Sequence, residues 1–319
     1  MYDVIIIGGG PAGLTAGIYA ARSNMKTLLI RSAYKPSLIT TTDLIENYPG
    51  FPDGIGGFEL IERFTQQALK FGLALVDDDI LAVAKTGTEG HDAWEVSTAG
   101  SVYQALSLII STGTEYAHLN VPGEVEFTGR GVSYCATCDG PFYRDCRLIV
   151  VGGGDTAVQE ALYLTNFASS VIIVHRRDRL RATAVLKDRA FANAKISFEW
   201  NAVLEDITGD SVVKAVRLKD VKDPAKVKTV AVDGVFIFTG TIPNTEMFNG
   251  VVDMDAHGYI KVNAHMNTSA KGIFAGGDCT NKLLRQVVTA CGDGATAAFA
   301  AYEYVSVLKG TSYDGVKTP

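Results

Sequence analysis

One feature constrains this chain more than any other: a strand, glycine turn and helix that occurs twice at matched spacing. Val4–Ile7 is a short β-branched run, followed by Gly8-Gly9-Gly10-Pro11-Ala12-Gly13 and a helix of small residues through Arg22. Leu148–Val151 opens the pattern again, with Gly152-Gly153-Gly154-Asp155-Thr156-Ala157 and a helix through Phe167. Each copy then enters a second apolar strand, Thr27–Ile30 or Val171–Val174. Arg31 follows Gly8, and His175 follows Gly152, by the same 23 residues. Glycines of this spacing let the backbone approach a pyrophosphate, and the helix start supplies free N–H groups and a positive dipole end. A single G-x-G-x-x-G is weak. Two copies, each between a strand and a helix, predict two dinucleotide-binding folds.

Each half continues into a hydrophilic stretch of alternating apolar residues, Ile80–Gln104 or Val203–Val232, which reads as antiparallel strands. Each closes on a strand ending in Thr-Gly, at Gly113 and Gly240. The segment after Gly240 supplies another buried strand, in Gly272–Asp278, and a long helix of small residues, which would complete the first fold. The expected architecture is therefore α/β, with two Rossmann-like dinucleotide-binding domains, the second inserted into the first. The domains read as 1–115, 116–243 and 244–319, where the first and last form one unit.

The 319 residues suit two domains, and 47% hydrophobic content is enough for two cores. A net charge of −6 argues against nucleic acid or an anionic membrane as a partner. No apolar run reaches the ~20 residues of a membrane helix. The opening MYDVIIIGGG passes straight into glycines and reads as a strand, not as a leader. Five cysteines are too few for a secreted disulfide framework, so the expected compartment is cytoplasmic.

In the second copy the position that usually holds a ribose-binding acid reads His175-Arg176-Arg177-Asp178-Arg179-Leu180-Arg181. Guanidinium groups there favour a 2′-phosphate, hence NADPH. Asp155 and Thr156 sit at the turn. In the first copy Arg31 holds that place and, read alone, would also suit NADP. Asp278, at the end of a central strand, favours FAD, because a carboxylate there can bond a flavin hydroxyl; capping of the next helix is its other reading. Cys135-Ala136-Thr137-Cys138-Asp139 lies in the second domain. Zinc would need two further ligands, and no second paired spacing exists. The better reading is a redox-active pair, with Asp139 suited to proton transfer.

The segments GGGPAGLTAGIYAAR, ENYPGF, VSYCATCDGPF, GGGDTAVQEALYLTNFA, HRRDRLRA and GIFAGGDCTNKLLRQVVTACGDGATAA together resemble the low-molecular-weight, bacterial-type thioredoxin reductases. The resemblance covers nearly the whole chain. It implies a flavoprotein disulfide reductase that passes electrons from NADPH through FAD and a Cys135/Cys138 disulfide to oxidised thioredoxin, with Asp139 as the acid, and it implies a homodimer. It places FAD against Gly8, Gly10, Pro11, Ala12, Gly13, Thr42, Asn47, Gly277, Asp278, Arg285, Gln286 and Val287. It places NADPH against Gly152, Gly154, Asp155, Thr156, His175, Arg176, Arg177 and Arg181. One loop departs from the pattern. Where the family commonly carries Gly-Gly-Gln, this chain has Pro36-Ser37-Leu38. Proline lacks an N–H and leucine cannot hydrogen-bond, so a looser hold on FAD or another path for the loop is expected. Cys279 is a second departure and reads as a small buried filler.

Overall fold

The computed structural model describes residues 1–42, 44–87 and 93–312, apart from the side chains of Thr41 and Cys138. The chain begins with β1 (Tyr2–Ile7), α1 (Pro11–Arg22), β2 (Thr27–Arg31), α2 (Gly57–Lys70) and β3 (Ala74–Asp77). It continues through β4 (Ile80–Thr86), β5 (Ala93–Thr98), β6 (Val102–Ile110) and β7 (Thr114–Tyr116). Next come α3 (Glu124–Phe127), β8 (Val132–Ser133), α4 (Ala136–Asp139), β9 (Arg147–Gly152), α5 (Asp155–Leu164), β10 (Ser170–His175) and α6 (Ala184–Ala192). The strands β11 (Ile196–Trp200), β12 (Ala202–Gly209), β13 (Val213–Asp220), β14 (Val227–Ala231), β15 (Gly234–Phe238) and β16 (Thr241–Pro243) follow. The chain ends with β17 (Ile273–Ala275) and α7 (Val287–Leu308).

Two compact units result. One joins Met1–Glu115 to Ile242–Pro319, and the other is Tyr116–Thr241. The return crossing falls two residues before the boundary read from the sequence, within β16, whose residues continue an extended ribbon with β7.

In the first unit, seven strands among the described residues form one sheet in the order β3-β2-β1-β6-β5-β4, with β17 also on β6. β1, β2, β3 and β17 run parallel to their neighbours, whereas β4 and β5 are antiparallel. The unbroken apolar runs follow from coverage of both faces. Val4, Ile6 and Leu29 pack under the helices with Leu14, Ala297 and Ala301. Ile5, Ile7, Leu28 and Ile30 face the opposite way, onto Trp94, Phe248 and Ile260. Each fully buried aliphatic side chain contributes about 1.5–3 kcal/mol. The small residues of α7 have a steric cause: a Cβ on Gly294 would lie 2.0 Å from the Ala12 carbonyl oxygen, so α7 and α1 meet at backbone distance.

The second unit repeats the plan, with five parallel strands in the order β11-β10-β9-β15-β8 among the described residues. Val150, Ile173 and Phe236 pack beneath α5 and α6. Ile149, Val151 and Ile237 pack on Leu204, Val216 and Leu218 of the antiparallel sheet β12-β13-β14. Among the described residues no helix is long and apolar enough to cross a membrane.

Candidate functional site

The first glycine turn is built by close approach. Gly8 has φ +114°, and a Cβ there would lie 2.2 Å from the Ser111 carbonyl oxygen. A Cβ on Gly13 would lie 1.9 Å from the Gly8 carbonyl oxygen. Buried Ser111 braces the turn, its hydroxyl donating to the carbonyls of Ile7 (2.9 Å) and Gly8 (3.2 Å). Gly10 caps α1 in extended conformation and Pro11 opens the helix, so the first N–H groups of α1 have no side-chain cap. Ala12 is buried against the Gly277 backbone, where Gly277 takes φ +84°.

Asp278 stands at the same end of the sheet, just beyond β17. Helix α7 does not begin until Val287, with Gln286 as its N-cap, so Asp278 does not cap it. Instead, the Asp278 Oδ1 is buried without a hydrogen-bond partner. Burial pushes its pKa up, against the opposing charges of Lys282 and Arg285. Around it the loop is cross-tied. Arg285 donates to the carbonyls of Asp278 (3.2 Å) and Thr280 (3.1 Å) and lies over the Tyr259 ring at 4.0 Å. Asn47 donates to the Gln286 side-chain oxygen at 2.9 Å. Thr42 accepts the Gly57 N–H through its carbonyl at 2.9 Å. Asp293, which the sequence did not single out, accepts the Gly277 N–H and pairs with Lys282.

The departing loop has a definite path. Leu38–Thr41 form a 3-10 turn, and Ser37 lies beside Gly10, its hydroxyl 3.1 Å from where a Cβ of Gly10 would be. Arg31 lies over Gly9, and its Nε pairs with Asp77 on the neighbouring strand at 2.5 Å. Cys279 is fully buried, its sulfur against the carbonyls of Gly276 (3.5 Å) and Ile110 (3.7 Å). Burial pushes its thiol up to about 11. Iodoacetamide at pH 8 should therefore leave Cys279 unlabelled in the native protein and label it in urea. Rapid native labelling, read by mass spectrometry, would contradict its role as a filler.

The second turn repeats the first. A Cβ on Gly152 would lie 2.4 Å from the Phe238 carbonyl oxygen, and Gly154 caps α5 in extended conformation. Buried His175 ends β10 with its ring on Gly153, and its Nε2 has no hydrogen-bond partner. Burial, then the charges of Arg181, Arg176 and Arg177, hold its pKa down, so the ring stays neutral. Leu180 and Ala182 are buried and pin the following loop, which leaves Arg176, Arg177, Arg179 and Arg181 exposed around the turn. The Arg181 N–H donates to the Gly153 carbonyl at 2.7 Å. Thr156 is exposed in the first turn of α5. Asp155 instead accepts the Thr183 N–H at 2.6 Å, a bond that ties α5 to the start of α6.

The CxxC segment lies between β8 and β9. Cys135 is disulfide-bonded, while Cys146, Cys279 and Cys291 are free thiols. The side chain of Cys138 lies outside the described residues. Asp139 ends α4, and its N–H donates to the Cys135 carbonyl at 3.2 Å. Burial, with the Asp139 charge second, pushes Tyr143 up to about 12.

Comparison with known proteins places this geometry. The model of the pyridine nucleotide-disulphide oxidoreductase family matches residues 2–294. The thioredoxin reductase of Treponema pallidum is 43% identical over 308 residues, which cover 97% of this chain and 98% of that protein. The chain belongs to the thioredoxin reductase family. The thioredoxin reductase of Bacillus subtilis is 45% identical over 314 residues, 98% of this chain and 97% of that protein. The crystal structure of Lactococcus lactis thioredoxin reductase in its FR conformation matches with a TM-score of 0.92 at 42% identity, covering 96% of this chain and 100% of that one.

Thioredoxin reductases of this family contain FAD and depend on NADPH, and both units fit those groups. The unpartnered Oδ1 of Asp278 suits a flavin hydroxyl, and the Gly8–Gly13 turn leaves room at an uncapped helix start for a pyrophosphate. The exposed arginines beside Gly152–Gly154 suit the 2′-phosphate that distinguishes NADPH.

Proposed function

We propose that this chain reduces the disulfide of thioredoxin with electrons from NADPH, using Cys135 and Cys138 as the redox pair. The observation that carries this reading is the state of the thiols. Cys135, in the loop that joins β8 to α4, is disulfide-bonded, whereas the cysteines outside the motif are free. The loop shares a unit with the glycine turn and the arginine cluster.

FAD, when bound, supplies the two-electron relay between a nicotinamide and a disulfide. The residues assigned to hold it are Gly8, Gly10, Pro11, Ala12, Gly13, Thr42, Asn47, Gly277, Asp278, Arg285, Gln286 and Val287. Gly152, Gly154, Asp155, Thr156, His175, Arg176, Arg177 and Arg181 are assigned to NADPH, Asp155 by shaping the turn. Reduction opens the Cys135–Cys138 disulfide into two thiolates, and Asp139 delivers a proton to one of them, leaving one thiol and one thiolate. One thiolate of the reduced pair then attacks the thioredoxin disulfide. The mixed disulfide is resolved by the other cysteine, so thioredoxin leaves as a dithiol and the pair returns to its oxidised form.

The free thiols support a reducing, cytoplasmic compartment. Exposed Val288 and Phe299 on α7, with Leu283 and Leu284 just before it, support the homodimer implied by the resemblance. A net charge of −6 speaks against a nucleic-acid partner.

Oxidation of NADPH should require oxidised thioredoxin and proceed far more slowly with oxidised glutathione. Equal rates with both would argue against a thioredoxin substrate. Asp278→Asn removes the buried charge that the flavin hydroxyl would meet. A hydrogen bond to a charged group is worth ~1.5–3 kcal/mol, so FAD should bind about tenfold to a hundredfold more weakly. Ultrafiltration followed by flavin absorbance reads this directly, and unchanged retention would remove Asp278 from the site.

A further inference from the structure

A hydrogen-bonded cluster beside the redox loop has no part in the steps above. Glu124, the first residue of α3, is 1% exposed, yet its carboxylate is fully engaged. Oε1 accepts the Leu119 N–H at 2.9 Å and the Tyr134 hydroxyl at 2.5 Å. Oε2 accepts the N–H of Asn120 at 2.6 Å and of Val121 at 3.4 Å. Burial pushes its pKa up, but these bonds outweigh burial and hold it below the ordinary carboxylate range. It is therefore charged, and Tyr134 is its donor.

Tyr134 immediately precedes Cys135. Its ring is boxed in by Tyr116, stacked at 6.1 Å, and by His118, edge-on at 5.0 Å. The His118 Nδ1 is 2.8 Å from the Tyr134 hydroxyl. On the other side of Tyr134, the Ser133 hydroxyl accepts the Cys135 N–H at 3.0 Å and donates to the Cys135 carbonyl at 3.2 Å. The backbone that carries Cys135 is thus fixed twice. The Ser133 hydroxyl grips Cys135 itself, and Tyr134 ties the preceding residue, through one buried carboxylate, to the Leu119–Val121 segment by which the chain enters the unit.

We propose that Tyr134, held by Glu124, is a positioning residue for the redox disulfide. The proposal rests on reading Cys135 as half of the redox pair. A thiol held in place presents a high effective concentration to its partner, which favours the disulfide over the dithiol. Freed from Glu124, Cys135 would lose part of that advantage. The pair would then become easier to reduce and a weaker reductant of thioredoxin. A carboxylate that merely capped the 119–121 turn would change stability without changing this equilibrium.

The experiment equilibrates holoenzyme with glutathione buffers of graded ratio and scores the pair by alkylation and mass spectrometry. Tyr134→Phe should shift its equilibrium about tenfold toward the dithiol, which is ~30 mV for a two-electron couple. The rate with thioredoxin should fall, while bleaching of flavin by NADPH keeps its wild-type rate. Glu124→Gln keeps an acceptor oxygen and should shift the equilibrium in the same direction by less, whereas Glu124→Ala should match Tyr134→Phe. An unshifted equilibrium in folded Tyr134→Phe would overturn the proposal. Should that variant not fold, an unshifted Glu124→Gln would do so. If the wild-type pair does not respond to the buffers at all, the redox reading of Cys135 falls, and this inference falls with it.

Discussion

Cys135→Ser is expected to abolish reduction of thioredoxin while leaving reduction of the flavin by NADPH intact. The side chains that brace the two glycine turns do not include Cys135. The first glycine turn is braced by Ser111, and the second packs against Phe238 and His175. Serine is close in size and keeps the Ser133 bonds to the backbone of residue 135, so the loop should stay folded. What is lost is the sulfur that, on the proposed path, breaks and re-forms a bond in every turnover. Removing a covalent participant costs on the order of a thousandfold or more. Stopped-flow absorbance reads the first half of the reaction, and NADPH consumption with thioredoxin reads the whole. Substantial thioredoxin reduction by the serine variant would mean that electrons leave by another route.

The double variant Arg176→Ala/Arg177→Ala is expected to raise the KM for NADPH about a hundredfold and to leave that for NADH nearly unchanged. Both side chains are exposed beside the second glycine turn, and buried Leu180 and Ala182 hold the loop that carries them. A charged hydrogen bond to phosphate is worth ~1.5–3 kcal/mol, and two such bonds are not fully additive, which gives the hundredfold figure. NADH carries no 2′-phosphate and so loses nothing. Steady-state kinetics with both nucleotides decides the matter. An equal rise for both would mean that the arginines shape the turn and do not read the phosphate.

The large features of this fold were legible because they repeat. Gly8–Gly13 and Gly152–Ala157 announce two strand–turn–helix units, and the equal offsets to Arg31 and His175 place the ends of two second strands. Helix α5 stops at Leu164, short of Phe167, whose ring instead packs edge-on against Tyr163. The supports of the sites were much less legible. Ser111 lies 103 residues from the Gly8 carbonyl it bonds, and Asn47 lies 239 residues from Gln286. No local pattern signals contacts of that range. Asp77 could have been found from the charge it offers to Arg31 once β2 and β3 are aligned, since register sets the two residues opposite each other. The motif placed Asp155 at the second turn, and only the fold shows its carboxylate accepting the Thr183 N–H. Nothing in the local sequence marks Glu124, and only the fold shows it to be buried.

One NADPH-driven path should run through a flavin to the Cys135 disulfide. An anaerobic titration of the purified holoenzyme with NADPH, followed by flavin absorbance and with NADH in parallel, tests it most directly. Two two-electron acceptors in series should consume about two equivalents of NADPH per chain before full bleaching, about one in Cys135→Ser, and far higher concentrations of NADH for the same change. Full bleaching of the wild type by a single equivalent, or by NADH as readily as by NADPH, would contradict it.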